Sequence, residues 1–222
     1  MGDSLFQYLL SYIYSFGHIF VRQDGPFIGS TYKKALFVQF TDDTFTTEIP
    51  VDENDRHFGI LGPMITAEVG DQIKVIFKNS ASREYTMHPH GLMYNKSNND
   101  AILDTPVQPG DTYIYTWGVP ADSGPSEGDR DCVLYVYYSD VDRARDTHSG
   151  LIGPLVVCRP GILGGTNGRR VDVDREFVLL FSVFDENKSW YLDDNIRDFS
   201  PEPDLVDKED ADFDESNLMH GK

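Results

Sequence analysis

Two histidines separated by one proline stand in the stretch Tyr85–Tyr94, which reads YTMHPHGLMY. In an extended chain, residues i and i+2 lie on the same face, so the side chains of His88 and His90 could approach one point. Imidazole nitrogen is a ligand that copper, zinc and iron accept. Pro89 stiffens the link because its ring fixes φ. The spacing therefore predicts part of a metal site, and the alternative is a pair of loop histidines without a ligand role.

A stable metal site needs three or four ligands, so the pair alone is incomplete. His57 precedes FGILGP and His148 precedes SGLIGP, and both are interpreted as surface or turn residues. Tyr85, Met87 and Met93 surround the pair in sequence, and we interpret them as core residues because methionine fills irregular gaps readily. There is no Gly-rich phosphate loop and no Cys-x-x-Cys motif, so kinase chemistry is not expected.

The composition indicates a folded protein with a strongly acidic surface. Of the 222 residues, 40% are hydrophobic and 13% aromatic, which suffices for a sizeable core and favours β structure. The formal net charge of −18 excludes nucleic acid as an expected partner, because both would carry negative charge. Two acidic clusters, Ser126–Asp131 and Asp207–Glu215, lack the spacing of a calcium-binding loop. They are interpreted as solvated faces, with low-affinity capture of Fe²⁺ as the alternative.

Short strands separated by turns are the elements that must position the histidine pair. Gly-Pro or Pro-Gly stands between many of the apolar runs, a pattern typical of a β-sandwich or barrel. No long helical period competes, and only Asp207–Leu218 is predicted to form a short acidic helix. The predicted strands are Lys34–Phe40, Thr66–Val69, Ile73–Lys78, Tyr85–His88, Thr112–Trp117, Val133–Tyr138, Leu151–Cys158 and Glu176–Phe184.

A glycine-rich stretch without alternation, Arg159–Arg170, marks a domain boundary. Beyond it, roughly fifty residues hold one strong apolar strand, which cannot bury a core unaided. That strand is interpreted as the first of a second sandwich; alternatively, it folds back onto the sheet of the first domain. At the other end, Leu5–Phe20 is apolar but lacks the basic start and the cleavage site of a signal peptide.

The two cysteines, Cys132 and Cys158, are both flanked by strand-like sequence. An even count of this kind predicts one intrachain disulfide in an oxidising compartment. The alternative is a pair of buried free thiols in a cytosolic protein. Two glycosylation acceptors, at Asn95 and Asn187, agree with secretion, although such tripeptides also occur by chance.

Five segments resemble the ceruloplasmin–hephaestin family of multicopper ferroxidases: YKKALFVQFTDDTF, GILGPMITAEVGDQIKVIFKN, HPHG, SGLIGPLVVC and REFVLLFSVFDENKSWYLDDN. The resemblance implies an all-β fold, the cupredoxin-like (plastocyanin-like) Greek-key β-sandwich, in a protein of six such domains. It divides the chain into an irregular N-terminal segment (1–26), one complete cupredoxin domain, the fifth (27–160), a linker (161–172) and the truncated start of the next domain (173–222). It also implies that the two cysteines join neighbouring strands of one domain.

The resemblance further implies a function: oxidation of Fe²⁺ to Fe³⁺ with O₂, in a protein secreted or displayed on the extracellular face of the plasma membrane. Copper is the implied cofactor, and His88 and His90 are its candidate ligands in a cluster shared with a neighbouring cupredoxin domain. No residue is assigned a catalytic role.

This sequence departs from the copper-binding pattern after Cys132. Where the family has a second His-x-His, this chain reads Tyr138-Ser139-Asp140, and a phenol with a carboxylate would not keep the same copper site. The chain alone is therefore expected to be incomplete for catalysis. The alternative function is a copper-free scaffold or interaction domain, as in the related coagulation-factor A domains.

Overall fold

Strands form most of the regular structure of Ala35–Leu180, one of two compact units into which the chain divides. The computed structural model describes residues 17–94, 105–164 and 168–220. The strands of this unit are β1 (Ile65–Glu68), β2 (Gln72–Lys78), β3 (His88–Pro89), β4 (Met93–Tyr94), β5 (Thr112–Gly118), β6 (Cys132–Tyr138), β7 (Ile152–Cys158), β8 (Leu163–Gly164) and β9 (Arg169–Arg170). The predicted all-β class is confirmed.

Two main sheets are formed. The first has the strand order β1, β7, β6, β3, with β1 and β7 parallel and the other pairs antiparallel. The second has the order β2, β5, β4 and is antiparallel, while β8 and β9 pair separately. The long strands are rich in β-branched and aromatic residues, such as CVLYVYY in β6, which pack well on a pleated surface. The short helix α1 (Arg143–His148) follows β6.

The core of this unit lies between the two sheets. Val157 of β7 is fully buried in a cluster against which Ile73 of β2 packs. The ring of Phe37 lies 5.2 Å from that of Tyr137 in the first sheet and 6.1 Å from that of Phe77 in the second. Edge-on aromatic contacts of this kind add to the free energy gained from burying apolar area.

Five predicted strands are confirmed, with shifts of at most one residue at each end: Thr66–Val69, Ile73–Lys78, Thr112–Trp117, Val133–Tyr138 and Leu151–Cys158. The strand predicted over Lys34–Phe40 is wrong, since its backbone forms only a single bridge, between Phe40 and Glu48. Phe37 is buried whereas Leu36 and Val38 are exposed. The alternation of apolar and polar residues therefore predicted which side chains are buried, but it did not predict whether the backbone pairs with a neighbouring strand.

Two further predicted strands are much shorter than expected. In Tyr85–His88, ladder pairing with β6 begins only at His88, and the backbone N–H of Thr86 donates to the hydroxyl of Ser139 instead. In Glu176–Phe184, only the last two residues belong to a strand. A strand needs a partner with which to pair, and an alternating sequence does not supply one.

The second unit contains the described residues up to Lys34 and those from Phe181 onward. Its strands β10 (Val183–Asp185) and β11 (Leu218–His220) pair antiparallel, and it holds the helices α2 (Leu192–Phe199) and α3 (Ala211–Ser216). Helix α3 lies inside the predicted helix Asp207–Leu218. The Asp210 carboxylate begins α3 by accepting hydrogen bonds from the backbone N–H groups of Asp212 and Phe213, both at 3.0 Å.

No helix within the described ranges is long and apolar enough to cross a membrane. Most of the apolar stretch Leu5–Phe20 and the glycosylation candidate Asn95 lie outside the described residues.

Candidate metal centre

The histidine pair is placed by the pairing of β3 with β6. His88 stands opposite Tyr138 and Pro89 opposite Tyr137 in this antiparallel register. The backbone N–H of His90 continues the contact by donating to the carbonyl of Val136 at 2.9 Å. His88 is half-buried and His90 is exposed, so the two imidazoles lie at the rim of the sheet and not in its core.

The residue after the pair, Gly91, makes a turn that no other residue type would fit. Its φ is +79°, and a Cβ placed there would collide with the ring of Tyr135. Ser123 fixes this turn by donating its hydroxyl hydrogen to the Gly91 carbonyl at 2.6 Å. The chain then returns so that the Tyr94 hydroxyl lies 3.1 Å from His88 Nδ1. The contact orients the His88 ring, in the manner of the outer hydrogen bonds that hold ligand histidines.

Tyr138 occupies the space beside His88. The centroids of their rings are 5.2 Å apart, and the Tyr138 ring is 6.5 Å from that of His90. The guanidinium carbon of Arg143 lies 4.8 Å from the Tyr138 ring centroid, a distance at which cation and ring attract each other. The Tyr138 ring is therefore in contact with both a cation and an imidazole.

The carboxylate of Asp140 is engaged by the same arginine. Arg143 donates two hydrogen bonds to it, from Nε at 2.8 Å and from one terminal nitrogen at 3.0 Å. These hydrogen bonds, with the charges of Arg143 and His88, hold the pKa of Asp140 below its usual range. Asp140 thus has a fixed partner three residues away at the start of α1, which matches a bidentate ion pair.

The donors near the pair fit part of a copper site and not a complete one. Two imidazoles suit copper, but the residues that the structure describes contain no cluster of three or more His, Cys, Asp or Glu side chains able to hold an ion. A copper held by His88 and His90 needs further ligands from elsewhere.

Cys132 and Cys158 form a disulfide and are the first register pair of β6 and β7. The disulfide predicted from the sequence is present, with an S–S distance of 2.01 Å. It removes Cys158 from consideration as a thiolate ligand, because a copper thiolate requires the reduced, deprotonated sulfur.

The other residues singled out from the sequence are dispersed. Tyr85 and Met87 are buried as predicted, but the prediction for Met93 is wrong, since its side chain is 61% exposed. His57 lies beside the rings of Phe58 and Phe177.

The glycosylation candidate Asn187 lies in the second unit. Its amide nitrogen donates to a carboxylate oxygen of Asp185 at 3.1 Å and to the carbonyl of Asp214 at 2.9 Å. Ser189, the third residue of the acceptor tripeptide, is buried.

Sequence reasoning missed Tyr94 and Arg143 as neighbours of the pair. The signal for Tyr94 was its position three residues after Gly91, because a tight turn at that glycine brings the following residues back towards the histidine pair. The signal for Arg143 was its spacing of three from Asp140 at a helix start, where side chains approach each other. Neither spacing alone reveals the contacts with His88 and Tyr138, because those depend on strand register.

Comparison with known proteins finds relatives that are similar over most of the chain. Residues 55–161 match the family model described as multicopper oxidase. The chain is 48% identical over 207 residues to hephaestin of Mus musculus, covering 93% of this chain and 18% of that protein. It is 47% identical over 212 residues to ferroxidase HEPHL1 of Homo sapiens, covering 91% and 18%. It is 48% identical over 194 residues to ceruloplasmin of Homo sapiens, covering 87% and 18%. The chain therefore spans less than a fifth of the length of these relatives.

Proposed function

Because the chain belongs to the ceruloplasmin–hephaestin family of multicopper oxidases, we propose that it is a cupredoxin module of a ferroxidase. His88 and His90 would supply two imidazole ligands to a copper whose other ligands come from a neighbouring cupredoxin domain. A bound copper would supply one-electron chemistry between Fe²⁺ and O₂. The role of this chain in such a site is to hold the two imidazoles at the rim of one sheet, next to the Tyr138 ring.

One observation carries the proposal: His88 begins β3 and His90 directly follows it, and the position of β6 that faces His88 holds a tyrosine. The His88 and Tyr138 ring centroids are 5.2 Å apart, so whatever β6 presents there lies next to the ligand candidate. A third imidazole at that place would extend the donor set, whereas the phenol does not. The chain thus offers two ligands and relies on a neighbour for the rest.

A second function, a copper-free scaffold, is favoured by the contacts of Arg143. It stacks on Tyr138 and binds Asp140 with both ends of its guanidinium, so its cationic group lies close to the histidine pair. A fixed positive charge repels a metal cation. If this effect dominates, the pair binds no copper and the domain serves in protein contacts only.

The compartment and the domain boundaries are part of the same proposal. The disulfide between Cys132 and Cys158 supports an oxidising, extracellular location, secreted or on the outer face of the plasma membrane. Residues 27–160 are proposed as the complete cupredoxin domain and 173–222 as the beginning of the next. Other cupredoxin domains are the proposed partners, since the relatives are about five times longer than this chain.

The test is a titration of the metal-free chain with Cu(II), followed by the NMR signals of the histidine ring protons. Paramagnetic copper broadens the signals of the residues to which it binds. We expect His88 and His90 to broaden together and before the other histidines. The His88→Ala/His90→Ala variant should need at least about tenfold more copper than the wild type to bind the same amount of metal per chain. His18→Ala, which removes an exposed histidine of the other unit, is the matched control and should change nothing.

A gain-of-ligand variant separates the two functions. Tyr138→His/Asp140→His raises the number of imidazoles at this rim and should increase copper affinity. Equal copper affinity in the wild type and in His88→Ala/His90→Ala would contradict the ferroxidase proposal for this pair and leave the scaffold function. Little or no oxidase turnover is expected from the 222 residues alone, measured as Fe²⁺-driven oxygen consumption.

A further inference from the structure

We propose that Asp146 is a positioning residue for the histidine pair, acting through Ser139 and Thr86. This inference rests on the proposed function, because it concerns how the same two imidazoles are held. Asp146 lies on α1 and accepts hydrogen bonds from Ser139 and from the backbone of the turn before α1. It fixes the two backbone segments that meet at the His88–Tyr138 pair.

The three side chains form a buried chain of hydrogen bonds. Ser139 donates its hydroxyl hydrogen to a carboxylate oxygen of Asp146 at 2.6 Å. The same hydroxyl oxygen accepts the backbone N–H of Thr86 at 3.0 Å. In return, the Thr86 hydroxyl accepts the backbone N–H of Asp140 at 2.8 Å. Asp146 and Thr86 are 1% exposed and Ser139 is 0% exposed, so water does not compete for these contacts.

The position of this chain explains why it acts on the ligands. Thr86 precedes His88 by two residues, and Ser139 directly follows Tyr138. Ladder pairing between β3 and β6 covers only His88 and Pro89 with their two partners. A ladder this short fixes register weakly, and a slip of one residue would move His88 to the other face of the sheet. The hydrogen bonds at Thr86 and Ser139 extend the fixed region beyond the ladder on the side of His88.

Burial of a carboxylate at this place is costly and calls for compensation. An ionised side chain removed from water is tolerated when several donors surround it. Besides Ser139, Asp146 accepts the backbone N–H groups of Val141 and Asp142, both at 3.2 Å. The carboxylate therefore also ties down the turn between β6 and α1, from which Arg143 reaches Tyr138.

A purely structural role predicts a different result from a positioning role. If Asp146 only stabilises the fold, its replacement lowers the unfolding temperature while the folded protein keeps the same imidazole environment. If it positions the pair, the folded variant shows altered His88 ring signals, since Tyr138 shifts those signals through its ring current. The two readings are separable because one concerns unfolding and the other the folded state.

The experiment compares Asp146→Asn and Ser139→Ala with the wild type. Asp146→Asn keeps the volume and removes the charge, whereas Ser139→Ala deletes the link between Asp146 and Thr86. Ser216→Ala is the matched control, because it removes an equally buried serine hydroxyl in the other unit, where the hydroxyl donates to the Phe213 carbonyl at 2.7 Å. Each variant is titrated with Cu(II) alone, below its unfolding temperature, and the histidine ring signals are followed.

We expect the two test variants to need about tenfold more copper than the wild type to broaden His88 and His90, the size typical of losing an outer contact of a metal site. Their metal-free His88 signals should also be displaced, and Ser139→Thr, which restores a hydroxyl, should recover both. Ser216→Ala should match the wild type in every respect. Folded Asp146→Asn and Ser139→Ala with wild-type His88 signals and wild-type copper response would overturn the inference.

Failure of the proposed ferroxidase function would give a different experimental result from failure of the positioning role of Asp146. If the wild type itself shows no preference of copper for His88 and His90, the ferroxidase assignment of the pair fails. The metal-free signals still decide on Asp146: displaced His88 signals in both variants support the positioning role, and unchanged signals overturn it.

Discussion

At the scale of single residues, the histidine pair is defined as much by its neighbours as by its own chemistry. His88 has a tyrosine on each side, Tyr94 through a hydrogen bond of 3.1 Å and Tyr138 through a ring contact of 5.2 Å. His90 is exposed and is held through its backbone. The two imidazoles therefore differ in burial and in contacts, and the His88 ring is oriented by a side-chain neighbour, Tyr94.

Gly91→Ala tests how tightly the residue after the pair is constrained. The positive φ and the collision of a Cβ with Tyr135 should together lower the free energy of unfolding by about 2 to 4 kcal/mol. Gly110→Ala is the control, because Gly110 has φ +88° but nothing within 4 Å of its Cβ position. It should cost only about 1 to 2 kcal/mol, from backbone strain. Urea denaturation measures both values, and equal losses would contradict the role given to the Tyr135 ring.

The spacing of the histidines and the absence of imidazoles at Tyr138 and Asp140 could be predicted from the sequence, since both are local patterns. The contacts of Tyr94, Arg143 and Asp146 could not, because each depends on which strands pair and where a turn returns the chain. Met93 was misplaced for the same reason. The turn at Gly91 directs its side chain outward, and residue type alone does not report that.

At the scale of elements, β6 is the strand that organises the larger unit. It pairs along its length with β7, carries Tyr138 opposite His88, and begins at the disulfide with Cys158. Strands with an alternating pattern and a partner close by formed as predicted. Lys34–Phe40 and most of Glu176–Phe184 alternate between apolar and polar residues but form no strand ladder. Alternation predicts which side chains are buried, whereas a ladder also requires a neighbouring strand.

Removal of the disulfide tests the contribution of that cross-link. Cys132→Ala/Cys158→Ala should lower the free energy of unfolding by about 3 to 4 kcal/mol, because the bond closes a loop of 26 residues and restricts the unfolded chain. Urea denaturation of the variant provides the value. The wild type under reducing conditions is the control and should unfold at the same urea concentration. A variant as stable as the oxidised wild type would contradict the estimate.

The exposed apolar side chains that precede β10 predict self-association. Leu179 is 61% and Phe181 88% exposed, and extended apolar segments with an unpaired backbone promote edge pairing. Leu179→Lys/Phe181→Lys should weaken self-association at least about tenfold, since each side chain contributes about 1.5 to 3 kcal/mol when buried. Sedimentation velocity over a range of concentrations measures this. Leu205→Lys, at an isolated exposed leucine, is the control, and a wild type that stays monomeric and resists limited proteolysis here would contradict the prediction.

At the scale of the whole molecule, the net charge is −18, and a buried ion pair joins Lys34 to Glu186 in the second unit. Burial raises the pKa of Glu186 to about 7, against the opposing effect of Lys34. One carboxylate oxygen of Glu186 has no hydrogen-bond partner. Burial also lowers the pKa of Lys34. The contribution of this ion pair to the free energy of unfolding therefore depends on pH.

The pH dependence has a defined sign. A folded-state pKa above the ordinary value of 4.5 means that the folded chain binds the Glu186 proton more tightly than the unfolded chain does. Its stabilising contribution is fully present below pH of about 4.5 and is lost as the pH rises through about 7. Relative to Glu186→Gln, the wild type should therefore gain about 2 kcal/mol between pH 8 and pH 5.

Hydrogen exchange at the backbone amides of β10 and α2 measures this difference in the unit that contains Glu186. Glu202→Gln, at an exposed glutamate of the same unit, is the control and should follow the wild type. Parallel curves for the wild type and Glu186→Gln from pH 8 to pH 5 would show that Glu186 does not titrate in this range.

The proposed function requires that this chain hold two ligands of a copper site and that the remaining ligands lie in a neighbouring domain. X-ray absorption at the copper edge, recorded on the chain with one equivalent of Cu(II), counts those ligands directly. We expect two imidazole nitrogens and otherwise water oxygen around the copper, with both imidazoles lost in His88→Ala/His90→Ala. A copper surrounded by three or four protein ligands from this chain alone, or by no imidazole at all, would contradict it.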